Sequence, residues 1–181
     1  MKRLILLRHA KSGWDDPVAR DYDRPLNERG RIAATSIGSW AGENGLAVDS
    51  IISSPAVRCT ETLDLFQPAA GITAIEPHWD RRIYLASSAT LIDVLRDFGD
   101  SDTSVLMCGH NPGMEDLILD LVPDDGSSPL RDVAEEQFPT AGLATIELDV
   151  AHWCDADNRC GRLVQFTRPR DIDSALGSGD D

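Results

Sequence analysis

Short apolar runs alternate with amphipathic stretches along the first two thirds of the chain. The apolar runs lie at residues 3–7 (RLILL), 50–53 (SIIS), 72–75 (ITAI) and 104–108 (SVLMC). Each run is too short for a helix and ends at charged or small polar residues, which is typical of strands buried on both faces. The pattern therefore predicts four strands of a parallel sheet.

Helical periodicity fills the segments between these strands. The predicted helices begin at Asn27, at Ser54 with Pro55, at Ser88 and at Pro112. Side chains such as those of Asn and Ser cap helix N-termini, and Pro is favoured in the first turn. One face of the first helix should hold Ile32, Ala33, Ile37, Trp40 and Ala41.

Strand and helix alternate four times, which predicts an α/β protein with right-handed crossovers. Residues 143–150 (LATIELDV) and 162–167 (RLVQFT) flank a polar turn and predict a terminal hairpin. We therefore expect a three-layer α/β/α sandwich whose central sheet has about six strands and is parallel except at one strand. Residues 1–170 form the predicted domain, with a solvated loop and one short helix within 123–139, and residues 171–181 form an acidic tail predicted to be disordered.

Composition limits the possible partners. The chain has 181 residues, with 17 basic and 31 acidic side chains and a formal net charge of −14. This charge disfavours nucleic acid, and no apolar run approaches the roughly 20 residues of a membrane span. Of the 17 basic residues 15 are Arg, whose planar fork suits phosphate or carboxylate oxygens. A local cationic pocket is compatible with this composition.

The cysteines and the N-terminus favour a cytoplasmic protein. The start MKRLILLRHA has no full signal-peptide pattern, so we expect the four Cys to be reduced thiols in the cytoplasm. His152, Cys154 and Cys160 do not have the spacing of a zinc site, and we predict no metal.

Polar residues that suit phosphate chemistry follow three of the predicted strands. The first strand ends at Arg8 and His9, the second precedes Arg58, and the fourth precedes His110. Ligands of open α/β sheets bind beyond the carboxyl ends of the strands. Two imidazoles and two guanidiniums meeting beside helix N-termini would form a site for a tetrahedral dianion, most simply a phosphoryl group.

The motifs around these residues resemble those of the histidine phosphatases, most closely of the SixA-type phosphohistidine phosphatases. They are LLRHAKS (6–12), RPLNERG (24–30), SSPAVRCTET (53–62), GHNPGMEDL (109–117) and PTAGLATIEL (139–148). The resemblance implies a phosphoglycerate mutase-like fold, with His9 as the nucleophile and with Arg8, Arg58 and His110 binding the phosphoryl oxygens. It also implies a phosphorylated protein as the substrate.

Elementary chemistry supports these roles. A neutral imidazole is a good nucleophile near pH 7, and covalent capture on His9 would divide hydrolysis into two steps. Arg8, Arg58 and a protonated His110 could stabilise the transition state, so no cofactor is expected. Lys11, Ser12 and Asn111 are further candidates for contact with the substrate.

The proton donor for the leaving group is less clearly marked. Many relatives carry an acidic residue between the second Arg and the second His, where this chain offers Asp80, with Glu76 just upstream. Further acidic candidates follow His9, namely Asp15, Asp16, Asp21 and Asp23. A phosphohistidine substrate weakens the need for an acid, because the departing imidazole can already carry a proton.

Two other functions fit the same residues. One is a phosphomonoesterase for a small ester such as a sugar or nucleotide phosphate, and the other is a phosphate-binding module without turnover. An intact nucleophile at His9 argues against the module. The oligomeric state is left open by the sequence.

Overall fold

The computed structural model of the chain describes residues 1–14, 20–126 and 128–177. The strands in these residues are β1 (Lys2–Arg8), β2 (Ser50–Ser53), β3 (Pro77–Trp79), β4 (Ser104–Gly109), β5 (Leu143–Leu148) and β6 (Gly161–Thr167). They form one sheet in the order β3-β2-β4-β1-β5-β6. Only β5 among them runs against the others, because it pairs antiparallel with both β1 and β6. The predicted mostly parallel sheet is confirmed.

Helices cover both faces of this sheet. They are α1 (Glu28–Glu43), α2 (Val57–Ala70), α3 (Ser88–Arg96), α4 (Gly113–Leu121), α5 (Leu130–Glu136) and α6 (Pro169–Ile172). Helices α1 and α2 share one apolar core with the sheet, whereas α3, α4 and α5 share another on the opposite face. The three-layer sandwich predicted from the sequence is therefore the observed architecture.

Local signals in the sequence place most helix starts, but α2 begins at Val57 rather than at the predicted Ser54 and Pro55. The side chain of Asn27 caps α1 by accepting from Gly30 N at 2.8 Å. Helix α3 begins at Ser88 as predicted, with Ser87 as its cap. Helix α5 is the short helix expected within residues 123–139. In α1, Ala33 and Ile37 are buried as predicted, but Ile32 is 48% exposed and lies on the solvent side.

One predicted strand is wrong. Residues 72–75 form a turn, and the edge strand is Pro77–Trp79. Helix α2 ends at Gly71, whose φ of 73° is left-handed and turns the chain. The Gln67 side chain then donates to the carbonyls of Ile72 at 3.3 Å and Ile75 at 2.7 Å. These carbonyls are satisfied without a neighbouring strand.

The C-terminal segment continues past the predicted domain. Asp171 lies in α6, which packs against α1, and Ser174–Gly177 form a turn of 3₁₀ helix. Arg29 Nη2 donates to Ala175 O at 3.2 Å, which ties this segment to the start of α1. The predicted disorder therefore does not describe residues 171–177, while residues 178–181 lie outside the described residues. The domain boundary at residue 170 stays a prediction.

None of the helices in the described ranges has both the length and the apolar character needed to cross a membrane.

Candidate active site

The carboxyl ends of three adjacent strands meet at one edge of the sheet. Arg8 of β1 is in register with Gly109 of β4, and Ser53 of β2 is in register with Cys108. Side chains that follow these strands therefore emerge at the same level, and the rings of His9 and His110 lie 5.2 Å apart between centroids. The predicted meeting of the three loops is observed.

We call the space at this edge the catalytic cleft. It has a volume of about 440 Å³. The residues that line it are Arg8, His9, Lys11, Ser12, Trp14, Asp21, Arg24, Arg58, Leu85, His110, Asn111 and Thr140. All four residues predicted to act on the phosphoryl group, and the three predicted to contact the substrate, lie in this set.

His9 is held as a neutral imidazole with a defined tautomer. Its Nδ1 lies 2.8 Å from Ala10 O, and because a carbonyl only accepts, Nδ1 carries the proton. The lone pair is then on Nε2. Burial lowers the pKa of His9 well below its usual value, and the charges of His110, Arg58 and Arg8 act in the same direction against the bond to Ala10. His9 is thus a neutral imidazole near neutral pH, with no proton on Nε2.

His110 is held from one side of its ring. Its Nε2 lies 2.8 Å from Ser54 Oγ and 3.6 Å from Cys59 Sγ. Burial raises the pKa of the Cys59 thiol, so both neighbours can donate a proton to Nε2. The Nδ1 atom is buried and has no hydrogen-bond partner among the described residues. Because Nε2 faces Ser54 and Cys59, Nδ1 is the ring nitrogen that is left to bind a ligand oxygen.

Arg58 is bound by Asp21 in this structure. Its Nη1 donates to Asp21 O at 2.6 Å and its Nη2 to Asp21 Oδ2 at 3.0 Å. Tyr84 Oη donates to the same Oδ2 at 2.6 Å. Although burial acts in the opposite direction, the Tyr84 hydrogen bond and the Arg58 charge lower the pKa of Asp21. The carboxylate is therefore ionised beside the cationic group that is predicted to bind phosphate.

Arg8 is anchored by the segment that precedes β5. Its Nη1 donates to Phe138 O at 2.8 Å. The backbone N of Ala141 contacts the carbonyls of Arg8 and His9, each at 3.1 Å. This explains why the PTAGLATIEL segment belongs to the site although it carries no charged side chain before Glu147.

Glu115, in the first turn of α4, binds the segment that precedes β5. Its Oε2 accepts from Phe138 N at 3.0 Å and from Asn111 Nδ2 at 3.2 Å. Asn111 Nδ2 also donates to Phe138 O at 2.9 Å, the carbonyl that binds Arg8. Glu115 thus connects Asn111, Phe138 and Arg8 without lining the catalytic cleft.

Thr62 joins the loop after β1 to α2. Its Oγ1 accepts from Ala10 N at 2.9 Å and donates to Arg58 O at 2.6 Å. On the other side, the loop packs on α1, where a Cβ at Gly30 would overlap the carbonyl of Lys11. Both contacts fix the backbone that carries His9.

The candidate acids Asp80 and Glu76 do not reach the catalytic cleft. They line a separate cavity of about 320 Å³ near β3. Asp80 binds the side chain of Arg82 at 2.7 Å, and this hydrogen bond lowers the pKa of Asp80. An acid needs a raised pKa, so the structure does not support Asp80 in that role. Its position follows from capping the 3₁₀ turn that begins at Arg81.

Asp21 is the carboxylate that lines the catalytic cleft among the described residues. The neighbouring candidate Asp23 is not part of the lining. Asp15 and Asp16 lie outside the described residues. Within the described ranges, no three His, Cys, Asp or Glu side chains come together as metal ligands would.

Sequence reasoning missed Tyr84, Glu115 and the hydroxyl of Thr62. Thr62 had a usable signal, because it lies four residues after Arg58 and therefore on the same face of α2. Glu115 lies four residues after Asn111, but Asn111 precedes the helix, so the spacing alone did not indicate a contact. Tyr84 reaches the site through a 3₁₀ turn that the sequence did not predict.

The chain is similar to proteins of one family. Residues 4–82 match the model of the histidine phosphatase superfamily, branch 1. The chain is 36% identical over 165 residues to an uncharacterised protein of Mycobacterium tuberculosis, with 91% of this chain and 100% of that protein covered.

Two solved structures resemble the whole fold. The proposed phosphohistidine phosphatase SixA of Agrobacterium tumefaciens is 33% identical, with a TM-score of 0.77 over 93% of this chain and 98% of that chain. The corresponding protein of Nakamurella multipartitia is 27% identical, with a TM-score of 0.79 over 93% and 96% of the two chains.

Proposed function

Because the chain belongs to the histidine phosphatase superfamily, among its SixA-type members, it is a phosphatase, and we propose that it dephosphorylates phosphohistidine in a protein through a phosphoryl intermediate on His9. The observation that carries this proposal is the state of His9. Its Nε2 holds a lone pair, its pKa is lowered by burial, and its ring faces His110 at 5.2 Å within a cationic cleft.

In the first step, His9 Nε2 attacks phosphorus. The new P–N bond forms as the P–N bond of the substrate breaks, and the substrate imidazole leaves with the electron pair. A proton already on its other nitrogen makes the leaving group neutral. Arg8, Arg58 and the Nδ1 proton of His110 bind the three equatorial oxygens, on which charge develops.

In the second step, water attacks the phosphoryl group on His9. The P–N bond breaks, the electron pair returns to Nε2, and the water proton leaves with the phosphate product or to solvent. The hydrogen bond from Nδ1 to Ala10 O is retained throughout, so His9 returns to its starting tautomer. Two successive in-line displacements retain the configuration at phosphorus.

The state of Asp21 favours phosphohistidine over a phosphate ester. An alkoxide leaving group needs a proton from a carboxyl group with a raised pKa. Asp21 is the carboxylate of the catalytic cleft among the described residues, and its pKa is lowered. An imidazole leaving group does not need this acid.

The rim of the catalytic cleft favours a protein substrate. Trp14 is 64% exposed and Leu85 is 55% exposed, and both line the cleft. Arg24 stacks on the Trp14 ring at 3.9 Å from its centroid. Aromatic side chains are enriched in protein interfaces, so an exposed Trp at the rim supports a protein substrate. The four free cysteines further support our proposal that the protein acts in the reducing cytoplasm.

Phosphate release from a phosphohistidine protein, compared with release from para-nitrophenyl phosphate and a sugar phosphate, tests the substrate. We expect the phosphohistidine protein to have the highest kcat/KM and His9→Ala to abolish its turnover. Preference for an ester would overturn the substrate assignment. Turnover that survives in His9→Ala, or none in the wild type with phosphate binding retained, would overturn the mechanism.

A further inference from the structure

A second cleft adjoins the catalytic cleft. It has a volume of about 380 Å³ and lies between α1, the segment before β5 and α6. Four of its lining residues are cationic, namely Lys11, Arg29, Arg168 and Arg170, and none is acidic. We call it the basic cleft.

The two clefts are contiguous. Lys11 and Thr140 line both of them. A protein substrate whose phosphoryl group occupies the catalytic cleft would therefore place its neighbouring side chains beside these two residues, next to the basic cleft. One substrate can occupy both sites at once.

The charge of the basic cleft contrasts with that of the chain. The chain carries 31 acidic and 17 basic residues and a net charge of −14. The net charge therefore repels anions, whereas four cations line this cleft, one of which, Arg168, is paired with Asp171. The attraction of the protein for a negatively charged group is thus local to this cleft.

The arginines of the basic cleft are held in place by the fold. Arg168 is fixed by Asp171, with its Nε and Nη2 each 2.9 Å from a carboxylate oxygen. Arg29 Nη2 contacts Ala175 O at 3.2 Å. Arg170, the third arginine that lines the cleft, is exposed to solvent. A cleft whose walls are already fixed loses little entropy when a ligand binds.

We propose that the basic cleft binds a carboxylate side chain of the phosphorylated protein while its phosphohistidine occupies the catalytic cleft. This inference rests on the proposed function and adds a substrate preference to it. Arg binds carboxylates through paired hydrogen bonds, and Asp or Glu near the phosphohistidine supplies that group. The basic cleft therefore selects phosphohistidine sites that have acidic neighbours.

Three phosphohistidine peptides test the preference: one with neutral flanks, one with two Asp before the phosphohistidine and one with two Asp after it. We expect kcat/KM of the wild type to be about tenfold higher for one acidic peptide than for the neutral peptide, mostly through KM. The combined variant Arg29→Gln and Arg170→Gln should lose this preference and retain turnover of the neutral peptide.

The matched control is the combined variant Arg3→Gln and Arg162→Gln. It removes the same charge, but both arginines pair with Glu147 and neither lines the basic cleft or the catalytic cleft. It should keep the preference. Because Arg29 also contacts the C-terminal segment, Arg170→Gln alone serves as a second variant, with a smaller loss expected.

Two results would overturn the inference: equal kcat/KM for the three peptides in the wild type, or a preference that survives Arg29→Gln with Arg170→Gln. Failure to dephosphorylate any peptide would instead count against the proposed function. Calorimetry of the unphosphorylated acidic and neutral peptides distinguishes failure of this inference from failure of the proposed function. The basic cleft requires tighter binding of an acidic peptide in the wild type but not in the double variant.

Discussion

Asp21 and Arg58 form a two-point contact inside the catalytic cleft. Arg58 Nη1 donates to the Asp21 carbonyl at 2.6 Å, and Nη2 donates to its carboxylate at 3.0 Å. Arg58 is only 2% exposed, whereas the Asp21 side chain is 35% exposed, so this contact lies at the border between the buried site and solvent. Both terminal nitrogens of Arg58, which we assign to the phosphoryl group, are thus engaged by Asp21, one by its backbone carbonyl and one by its carboxylate.

Asp21→Asn should tighten the binding of phosphate. The amide is isosteric with the carboxylate but does not repel an anion or neutralise Arg58. We expect the Kd for inorganic phosphate to fall about fivefold to tenfold, the size of a two-charge repulsion across several ångströms of polar medium. Calorimetric titration of the wild type and of Asp21→Asn with inorganic phosphate measures the two Kd values.

Asp23→Asn is the matched control for that change. It removes the same charge from the same 3₁₀ turn, but Asp23 does not line the catalytic cleft. Phosphate affinity should stay close to that of the wild type. Equal gains in the two variants would mean that net charge, rather than the Asp21 contact, controls the affinity.

His9 should make the folded state sensitive to acid. Burial lowers its pKa in the folded state, so the unfolded chain binds more protons once the pH falls below about 6.5. The free energy of unfolding must then decrease as the pH falls from that value toward the folded pKa. His9→Gln cannot be protonated and should lose less stability over this range. Urea unfolding of both proteins at several pH values measures the difference, and identical acid dependence would contradict it.

Glu115 should act on turnover as a positioning residue. Glu115→Ala removes the acceptor shared by Phe138 N and Asn111, and so loosens the carbonyl that binds Arg8. We expect kcat to fall about tenfold, equivalent to one lost hydrogen bond with a charged group, with a smaller change in KM.

Glu115→Gln should restore most of the turnover, because the amide oxygen still accepts. Asp116→Ala is the control, since Asp116 is an exposed acidic residue in the same first turn of α4. If Glu115→Gln is as impaired as Glu115→Ala, charge rather than the hydrogen bonds is responsible.

Thr62→Val should destabilise the protein. Valine has the same shape but leaves the buried Ala10 N without an acceptor, which costs about 1–3 kcal/mol. Thermal or urea unfolding measures the loss. Thr60→Val provides the comparison, because the Thr60 hydroxyl only donates to Val57 O within its own helix. Similar losses in the two variants would show that Thr62 has no special role.

The fold was largely predictable because its elements are specified locally. The β1 and β4 runs are buried on both faces, and Asn27 caps α1 as its position indicates. The errors arise where a side-chain contact from outside the segment determines its backbone structure. Gln67 satisfies the carbonyls of Ile72 and Ile75, so an apolar run that is typical of a strand remains a turn. The apolar pattern of residues 72–75 does not show that Gln67 donates to these carbonyls.

The site residues that lie at the carboxyl ends of strands were predictable from the sequence. Arg8 ends β1, and His9 and His110 directly follow the adjacent parallel strands β1 and β4, so the topology brings them together. The role of Asp21 could not be distinguished from those of other acids in the same loop, because its contact with Arg58 spans 37 positions. The pairing of Asp80 with Arg82 likewise depends on a turn that the sequence did not indicate.

Mapping the phosphoryl group on the enzyme tests the central claim most directly. Radiolabelled phosphohistidine protein is mixed with the phosphatase, the reaction is stopped within milliseconds in alkali, which preserves phosphohistidine, and the labelled residue is identified by mass spectrometry and phosphorus NMR. We predict label on Nε2 of His9, because Nδ1 is occupied by its hydrogen bond to Ala10 O. Label on another residue or on Nδ1, or phosphate release without labelled enzyme under single-turnover conditions, would contradict the account.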